Sequence, residues 1–526
     1  MIAVKSEEPA RSPGFRDKFF WLAFIVLLSV HSYNFGFQRL YPFLDMPNHL
    51  ALAEIYKSYG NPDNQFEKIF SLNMFPRPNV VHTVLCGSKL FPGVEAANRF
   101  FYVMYAVLFV AGAALLIGRC TGNPWYGLLA FLFLYNINVC YGFTGFTIAV
   151  PALLFLLYAV IDYIEHRSAP AALWIAVLLP GIFFMHAMAF LYAVMVYAAC
   201  VLFDMCRHGA WRRFPVHLGI CIPGMVLFAA WYTIDSREYG GSSMMQALLH
   251  YYRHSFAGSF WQRGAVMIHD NFRLSGTLSG YAAAAAFSLA TLFFAAFPFL
   301  QKRHKGRTAR PAGFYCICIF LGCSVACALF MPVALPGYSF LYQRFSVLVF
   351  LGVIIAGSLA APRVLPAWMK ICICAAVAVH AALWLQCFRA FDSANAGFNE
   401  ELFAGCAADA VVGGLIYDYR FRNVSMYDNF PDYCMVWRRG ISTTRLTDER
   451  SFAIRRRVGT DVLPRYIGWV GKGACEYDGR YGGLDYLLVR GDIPAQAREK
   501  LRHFSIVKQS GPWRLYANTD RTKPLR

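Results

Sequence analysis

Apolar residues in this chain come in long unbroken runs rather than in the spaced pattern of a soluble fold. Runs of about 18 to 25 residues, the length that carries a helix across a hydrocarbon core, fall at 18–36, 97–118, 123–141, 144–162, 170–185, 187–204, 215–234, 277–300, 312–332, 345–362 and 368–388. Backbone N–H and C=O groups in lipid must be satisfied within the segment, and these runs lack the period-two alternation of a barrel. The pattern therefore predicts a polytopic α-helical membrane protein with about eleven transmembrane helices.

Two polar intervals, 37–96 and 235–276, are too long to be simple connectors. In the first, Asn48 to Tyr59 reads as an amphipathic helix stopped by Gly60-Asn61-Pro62, and it is expected to lie along the membrane interface. In the second, 243–252 and 258–268 read as further short interfacial helices. The pattern changes in kind after the last run: 411–417 and 485–491 read as strands, 495–504 as a helix, and 504–508 with 513–517 as a strand pair around Gly511-Pro512. A division follows, with a transmembrane part over 1–388 and a small soluble α/β or α+β domain over 389–526. Gly413-Gly414 and the stretch 479–483 lack the spacing of a nucleotide-binding loop and read as turns.

Composition agrees with the pattern: 58% of residues are hydrophobic, 15% are charged, and the mean hydropathy is +0.42. The placement of charge orients the set. Lys5, Arg11, Arg16, Lys18, Arg119, Arg167, Arg207, Arg212, Arg213, Lys302, Arg303, Lys305, Arg307, Arg310, Arg363 and Lys370 fall on one side. The turns near 142–145 and 184–187 carry no Lys or Arg, and that near 333–344 carries only Arg344. This positive-inside bias predicts a multi-pass protein of the cell inner (plasma) membrane with a cytoplasmic N-terminus and with 37–96, 235–276 and the C-terminal domain outside. The polar lead, with Glu7, Glu8 and Asp17, reads as part of a retained anchor rather than a removable signal. The formal net charge of +19 does not point to nucleic acid, because the basic residues are scattered over loops and an Arg-rich tail; anionic or phosphate-bearing lipid is the partner it favours. Most of the sixteen cysteines lie in the spans, and among the external ones Cys406, Cys434 and Cys475, position favours Cys434 with Cys475 for a disulfide.

Candidate chemistry concentrates at the outer mouth of the first span, in Tyr41-Pro42-Phe43-Leu44-Asp45-Met46-Pro47-Asn48-His49-Leu50. Asp45 could simply cap the following helix, with Pro47 in its first turn. A carboxylate at the lipid-water boundary is costly unless partnered, and a general base is the use that justifies it. His49 stands one turn further on and Asn48 beside it. At the same level His186 breaks an apolar turn, and Arg344 offers a rigid fork suited to a lipid phosphate. In 235–276, Arg237, Arg253 and Arg263 are candidates to stabilise a leaving phosphate. The histidines and acids there could also hold a divalent cation, although their spacing is irregular and specifies no cofactor.

These features together resemble the GT-C superfamily of integral membrane glycosyltransferases, which includes the protein mannosyltransferases, the lipid A aminoarabinose transferases and the oligosaccharyltransferases. The resemblance rests on the many spans, the long first external loop, the soluble C-terminal domain, and Asp45-Met46-Pro47-Asn48-His49 just after the first span. It implies an inverting transferase that takes a sugar from a polyprenyl-phosphate donor to an extracytoplasmic glycan, lipid or protein acceptor, with Asp45 as the essential first-loop acid. Met46 stands where the commonest form of the motif has a second acid. The alternative is a transporter or flippase of lipid-linked or small polar substrates, which would need ionisable groups deep in the spans; His31, Asp162, His186, Asp204 and His380 are read as lying nearer the edges.

Overall fold

The computed structural model describes residues 17–238, 259–272, 274–300, 311–335, 338–362, 364–443, 446–447, 452–457 and 483–520. Among the described residues nine helices, from Lys18–Gly36 to Ala367–Ala394, are long and apolar enough to cross a membrane, and Ala169–Met185 is a shorter apolar helix beside them. We call Lys18–Gly36 α1 and Met46–Ser58 α2.

The run expected as a helix over 123–141 is not an α-helix. Pro124–Phe133 winds as a 3-10 helix and Ile137–Tyr141 as a short α-helix. At 2.0 Å per residue, ten 3-10 residues rise about 20 Å, so the segment reaches further per residue than an α-helix would. Asn136 breaks the run, since its amide donates back to Phe133 O (2.8 Å) while its carbonyl oxygen accepts from Asn138 N (2.9 Å). A second constraint is Gly127, where a Cβ would come within 2.5 Å of Ala114 Cα on the Val94–Thr121 helix. Hydrophobicity is uniform here, so periodicity could not separate the two helical forms.

The bundle has two chemically distinct ends. At one, Arg119 pairs with Asp162 (2.8 Å) and Glu165 (2.9 Å), Arg167 pairs with Asp204, and Lys370 pairs with Asp17 (2.8 Å). Between the ends, His31, Asn34 and Tyr135 form a buried hydrogen-bonded group, with the His380 ring 6.2 Å from that of His31. His380 stands at the middle of the Ala367–Ala394 helix, not near an edge as the sequence suggested.

The opposite end carries the loops and the C-terminal α/β region. Its five-stranded sheet runs in the order Phe504–Ser510, Trp513–Asn518, Tyr486–Arg490, Val411–Ile416, Ile441–Ser442. Val411–Ile416 is parallel to both of its neighbours and the other pairs are antiparallel. The strands expected near 411, 486, 504 and 513 are all present. Gly413-Gly414, read as a turn although it falls in the 411–417 stretch read as a strand, lies inside the strand Val411–Ile416, where a Cβ at Gly413 would meet Leu484 at 2.5 Å and one at Gly414 would meet Pro431 at 2.3 Å. Cys434 is buried against the Cys406 thiol, whose hydrogen bond and the surrounding burial push its pKa up; Cys475 lies outside the described residues.

The helix α2 joins the two cores, and it is not the surface-lying amphipathic helix expected. Leu50 and Ala53 pack into the bundle core, while Ala51, Leu52 and Ile55 pack with Val411, Leu415 and Met435 of the C-terminal region. Its polar residues are satisfied inside: Glu54 accepts from Ser58 (2.5 Å) and from Arg439 (3.3 Å). Amphipathic spacing gave one apolar face, and tertiary packing covered the other as well. The first loop also adds a strand, Phe70–Leu72, antiparallel to Ile454–Arg456. Near it, Asp235 receives Arg77 (3.0 Å) and Arg455 (3.3 Å), and so ties both intervals to the C-terminal region. The segment 243–252 lies outside the described residues, whereas the helix expected over 258–268 is found at Phe260–Phe272.

Replacing Asp235 by Ala leaves two partly buried guanidiniums without this carboxylate, at a cost of roughly 1–3 kcal/mol. Thermal unfolding in nanodiscs is expected to show a lower midpoint, with the C-terminal region becoming protease-sensitive first.

Candidate active site

The site is assembled around one turn of backbone. Ile137–Tyr141 ends at Gly142 with φ +82°, a left-handed conformation that glycine adopts at no steric cost. The turn presents its carbonyls to the chain leaving α1: Leu44 N donates to Cys140 O and Asp45 N to Tyr141 O, both at 3.1 Å. A Cβ on Gly142 would lie 3.2 Å from Asp45 N, Asp45 C and Met46 N. Close backbone approach therefore fixes where Asp45 sits.

Asp45 occupies the N-cap position of α2, yet its side chain makes no capping hydrogen bond. The carboxylate is half-buried, and its Oδ1 accepts from Asn429 Nδ2 at 3.0 Å. The simple capping role considered from sequence is thus not what holds this group. His49 N donates to Asp45 O (3.1 Å), and the His49 ring stands with Nδ1 3.4 Å from Thr144 Oγ1 and its centroid 5.5 Å from that of His82. Asn48 is buried beside it in the first turn of α2.

Arg344 reaches the other side of the same turn. It is 7% exposed, its guanidinium carbon lies 3.6 Å above the Phe143 ring, and Nη2 donates to Ser339 O at 3.0 Å. Its Nη1 is 3.3 Å from His186 Nε2. His186 Nδ1 meanwhile lies 3.2 Å from Met188 N at the cap of the Ala187–His208 helix. A neutral imidazole has one lone pair and one N–H. It cannot accept at both nitrogens, so whether it accepts from Met188 N at Nδ1 or from Arg344 Nη1 at Nε2 depends on the tautomer.

The electrostatics keep the imidazoles neutral. Burial holds His49 well below the usual histidine range, helped by His82 and by the charge on Arg344. His186 is depressed in the same way, by burial first and Arg344 second. His82 is lowered to about 4 by burial, against the support of the Asn98 carboxamide oxygen at 2.9 Å. So Arg344 brings positive charge to this turn while the histidines supply neutral donors and acceptors.

The structure thus brings Asp45, Asn48, His49, His186 and Arg344 to one place. It puts Arg263 elsewhere: that guanidinium is 1% exposed and donates to Leu329 O (3.1 Å) and Met331 O (2.7 Å), closing the end of the Pro311–Phe330 helix. Arg237 lies in the last turn of the Phe214–Glu238 helix, and Arg253 lies outside the described residues. Sequence reading missed Gly142, Thr144, His82 and Asn429. Gly142 could have been found as a glycine between two apolar runs; the others give no local signal.

Beside Asp45 lies a cavity of about 310 Å³. Leu44, Cys140 and Tyr141 line it on the side of the turn, Ile137, Phe340, Trp384 and Cys387 form the bundle wall, and Phe421, Val424 and Met426 form the wall from the C-terminal region, with Asp270 and Arg420 as its charged members. Among the described residues no group of three or more His, Cys, Asp or Glu stands together as a metal site.

A crystal structure of ArnT from Cupriavidus metallidurans bound to undecaprenyl phosphate matches with a TM-score of 0.53, over 95% of this chain and 98% of that one. The fold is ArnT-like. Identity is 15%, so the likeness shows the course of the chain alone. No protein-family model and no curated protein matches the chain.

Gly142→Ala is expected to strain a left-handed position by about 1–2 kcal/mol and to push Asp45 from its place, read as a lower unfolding midpoint. Acid stability tests the histidines. Between about pH 6.5 and 4 the unfolded chain binds a proton at His82 that the folded chain refuses, so stability is full above 6.5 and falls as pH drops through that window, by at most about 3 kcal/mol. Asp428 opposes part of this, since burial raises its carboxyl to about 6 and its neutral form favours the fold as pH falls. His82→Gln should flatten the decline in a pH series of unfolding midpoints.

Proposed function

We propose that the chain is an inverting glycosyltransferase that moves a sugar from a polyprenyl-phosphate donor to an acceptor hydroxyl at the outer face of the cell inner membrane, with Asp45 as general base. The observation that carries this reading is a half-buried carboxylate not used as a helix cap, standing across one backbone turn from a buried guanidinium and next to a largely apolar cavity. The ArnT-like fold supports it, and that protein was crystallised with undecaprenyl phosphate.

In this reading the Asp45 carboxylate takes the proton of the acceptor hydroxyl. The oxygen attacks the anomeric carbon from the face opposite the phosphate, the bond from that carbon to the phosphate oxygen breaks, and its electron pair leaves on the lipid phosphate. With His186 in the tautomer protonated at Nε2, that atom and Arg344 Nη1, 3.3 Å apart, receive an oxygen of that phosphate between two donors, so charge forming on the leaving group meets donors already in place. Neutral His49 orients the acceptor and adds no competing charge. The prenyl chain occupies the cavity walled by Trp384 and Phe340, and residues 389–526, taken as the extracytoplasmic domain, cover the site and limit access of water, which would otherwise consume the donor.

Asp45→Asn in nanodiscs, supplied with undecaprenyl-phosphate pentoses and hexoses and an envelope glycolipid extract, should release undecaprenyl phosphate about 10²–10⁴-fold more slowly than the unaltered chain, by mass spectrometry. It should still bind undecaprenyl phosphate. Unchanged release by the variant would overturn the assignment of the base, and movement of intact donor across vesicles without release would favour a flippase.

A further inference from the structure

The segment Tyr427–Asp432 of the C-terminal region is held from three sides. Phe391 near the end of the Ala367–Ala394 helix stacks on the Tyr427 ring at 5.7 Å, and Asn395 donates to the Tyr427 hydroxyl at 3.2 Å. Phe430 stacks on Trp513 of the sheet with centroids 5.1 Å apart, and Pro431 fills the space left by Gly414 in the strand Val411–Ile416. Arg490 lies 3.9 Å above the Tyr427 ring from the strand next to Gly414. The segment is therefore a rigid wedge between sheet and bundle.

At its tip Asn429, 8% exposed, donates from Nδ2 to Leu44 O and to Asp45 Oδ1, both at 3.0 Å. Both partners are pure acceptors, so the amide nitrogen and not its oxygen must face them. We infer that Asn429 is a positioning residue for the Asp45 carboxylate. Donation to the backbone carbonyl just before Asp45 sets where the amide stands, and donation to Oδ1 sets the rotation of the carboxylate, so the second oxygen's direction follows from both. The C-terminal region then completes the site and does more than roof it, because the group that aims the base lies 384 residues away in the chain.

This inference rests on the reading of Asp45 as the base, and the test separates the two. In nanodiscs with the same undecaprenyl-phosphate sugars and glycolipid extract, Asn429→Ala should lower kcat roughly tenfold to a hundredfold, the scale of a hydrogen bond to a charged group, with KM for the donor and undecaprenyl phosphate binding within about twofold. Asn429→Asp keeps the shape but sets a second carboxylate against the first, and it should fall below the Ala variant. Asn429→Gln, retaining an amide donor, should recover part of kcat. In the Asp45→Asn background, Asn429→Ala should produce no further loss. Equal losses from Asn429→Ala with and without Asp45, or a loss confined to KM with a lowered unfolding midpoint, would make Asn429 a docking residue only and overturn the inference. Full turnover by Asp45→Asn, or none by the unaltered chain, would remove the base itself and the inference with it.

Discussion

Everything at the candidate site depends on keeping a short polar segment, 45–49, out of water without leaving its groups unsatisfied. Burying a polar group costs free energy unless it finds a partner, and here the partners come from far along the chain. The carbonyls of Cys140 and Tyr141 take the amides of Leu44 and Asp45, Thr144 meets His49, and Asn429 meets both Leu44 and Asp45. Because α2 is packed against two cores at once, the first loop cannot move without disturbing both.

The same constraint explains the chemistry left available. Desolvation keeps His49, His82 and His186 neutral, so the positive charge at this turn comes from Arg344, and the guanidinium is fixed by the Phe143 face and the Ser339 carbonyl. A carboxylate and a guanidinium held on opposite sides of one turn, with apolar space beside them, suit a reaction in which a proton is lost at one point and negative charge appears at another. Helices, first loop and C-terminal region all contribute groups to that turn.

The ion pairs divide in the same way. At the end remote from the site they join helix to helix, as with Arg119 and Glu165 or Arg167 and Asp204. At the site end they join loops to the C-terminal region, as with Asp235 between Arg77 and Arg455 and Glu54 with Arg439. The first set fixes the bundle, and the second holds the cover over the first loop.

Hydropathy alone determined that this is a bundle of membrane-crossing helices with an α/β tail, because the cost of unpaired backbone in hydrocarbon leaves few alternatives. It also singled out Asp45, His49, His186 and Arg344, since a polar residue in a run of apolar ones is visible without knowing the fold. What it could not give was the 3-10 winding of Pro124–Phe133 or the burial of α2 on both of its faces, since each depends on a neighbour whose approach is not written locally. Arg263 and Arg344 look equally suited to phosphate in the chain, and only packing separates them, one closing a helix end and the other facing the turn beside Asp45. Asn429 was invisible for the same reason: an amide in a Pro-containing turn acquires meaning only when folding carries it to a carboxylate at the far end of the sequence.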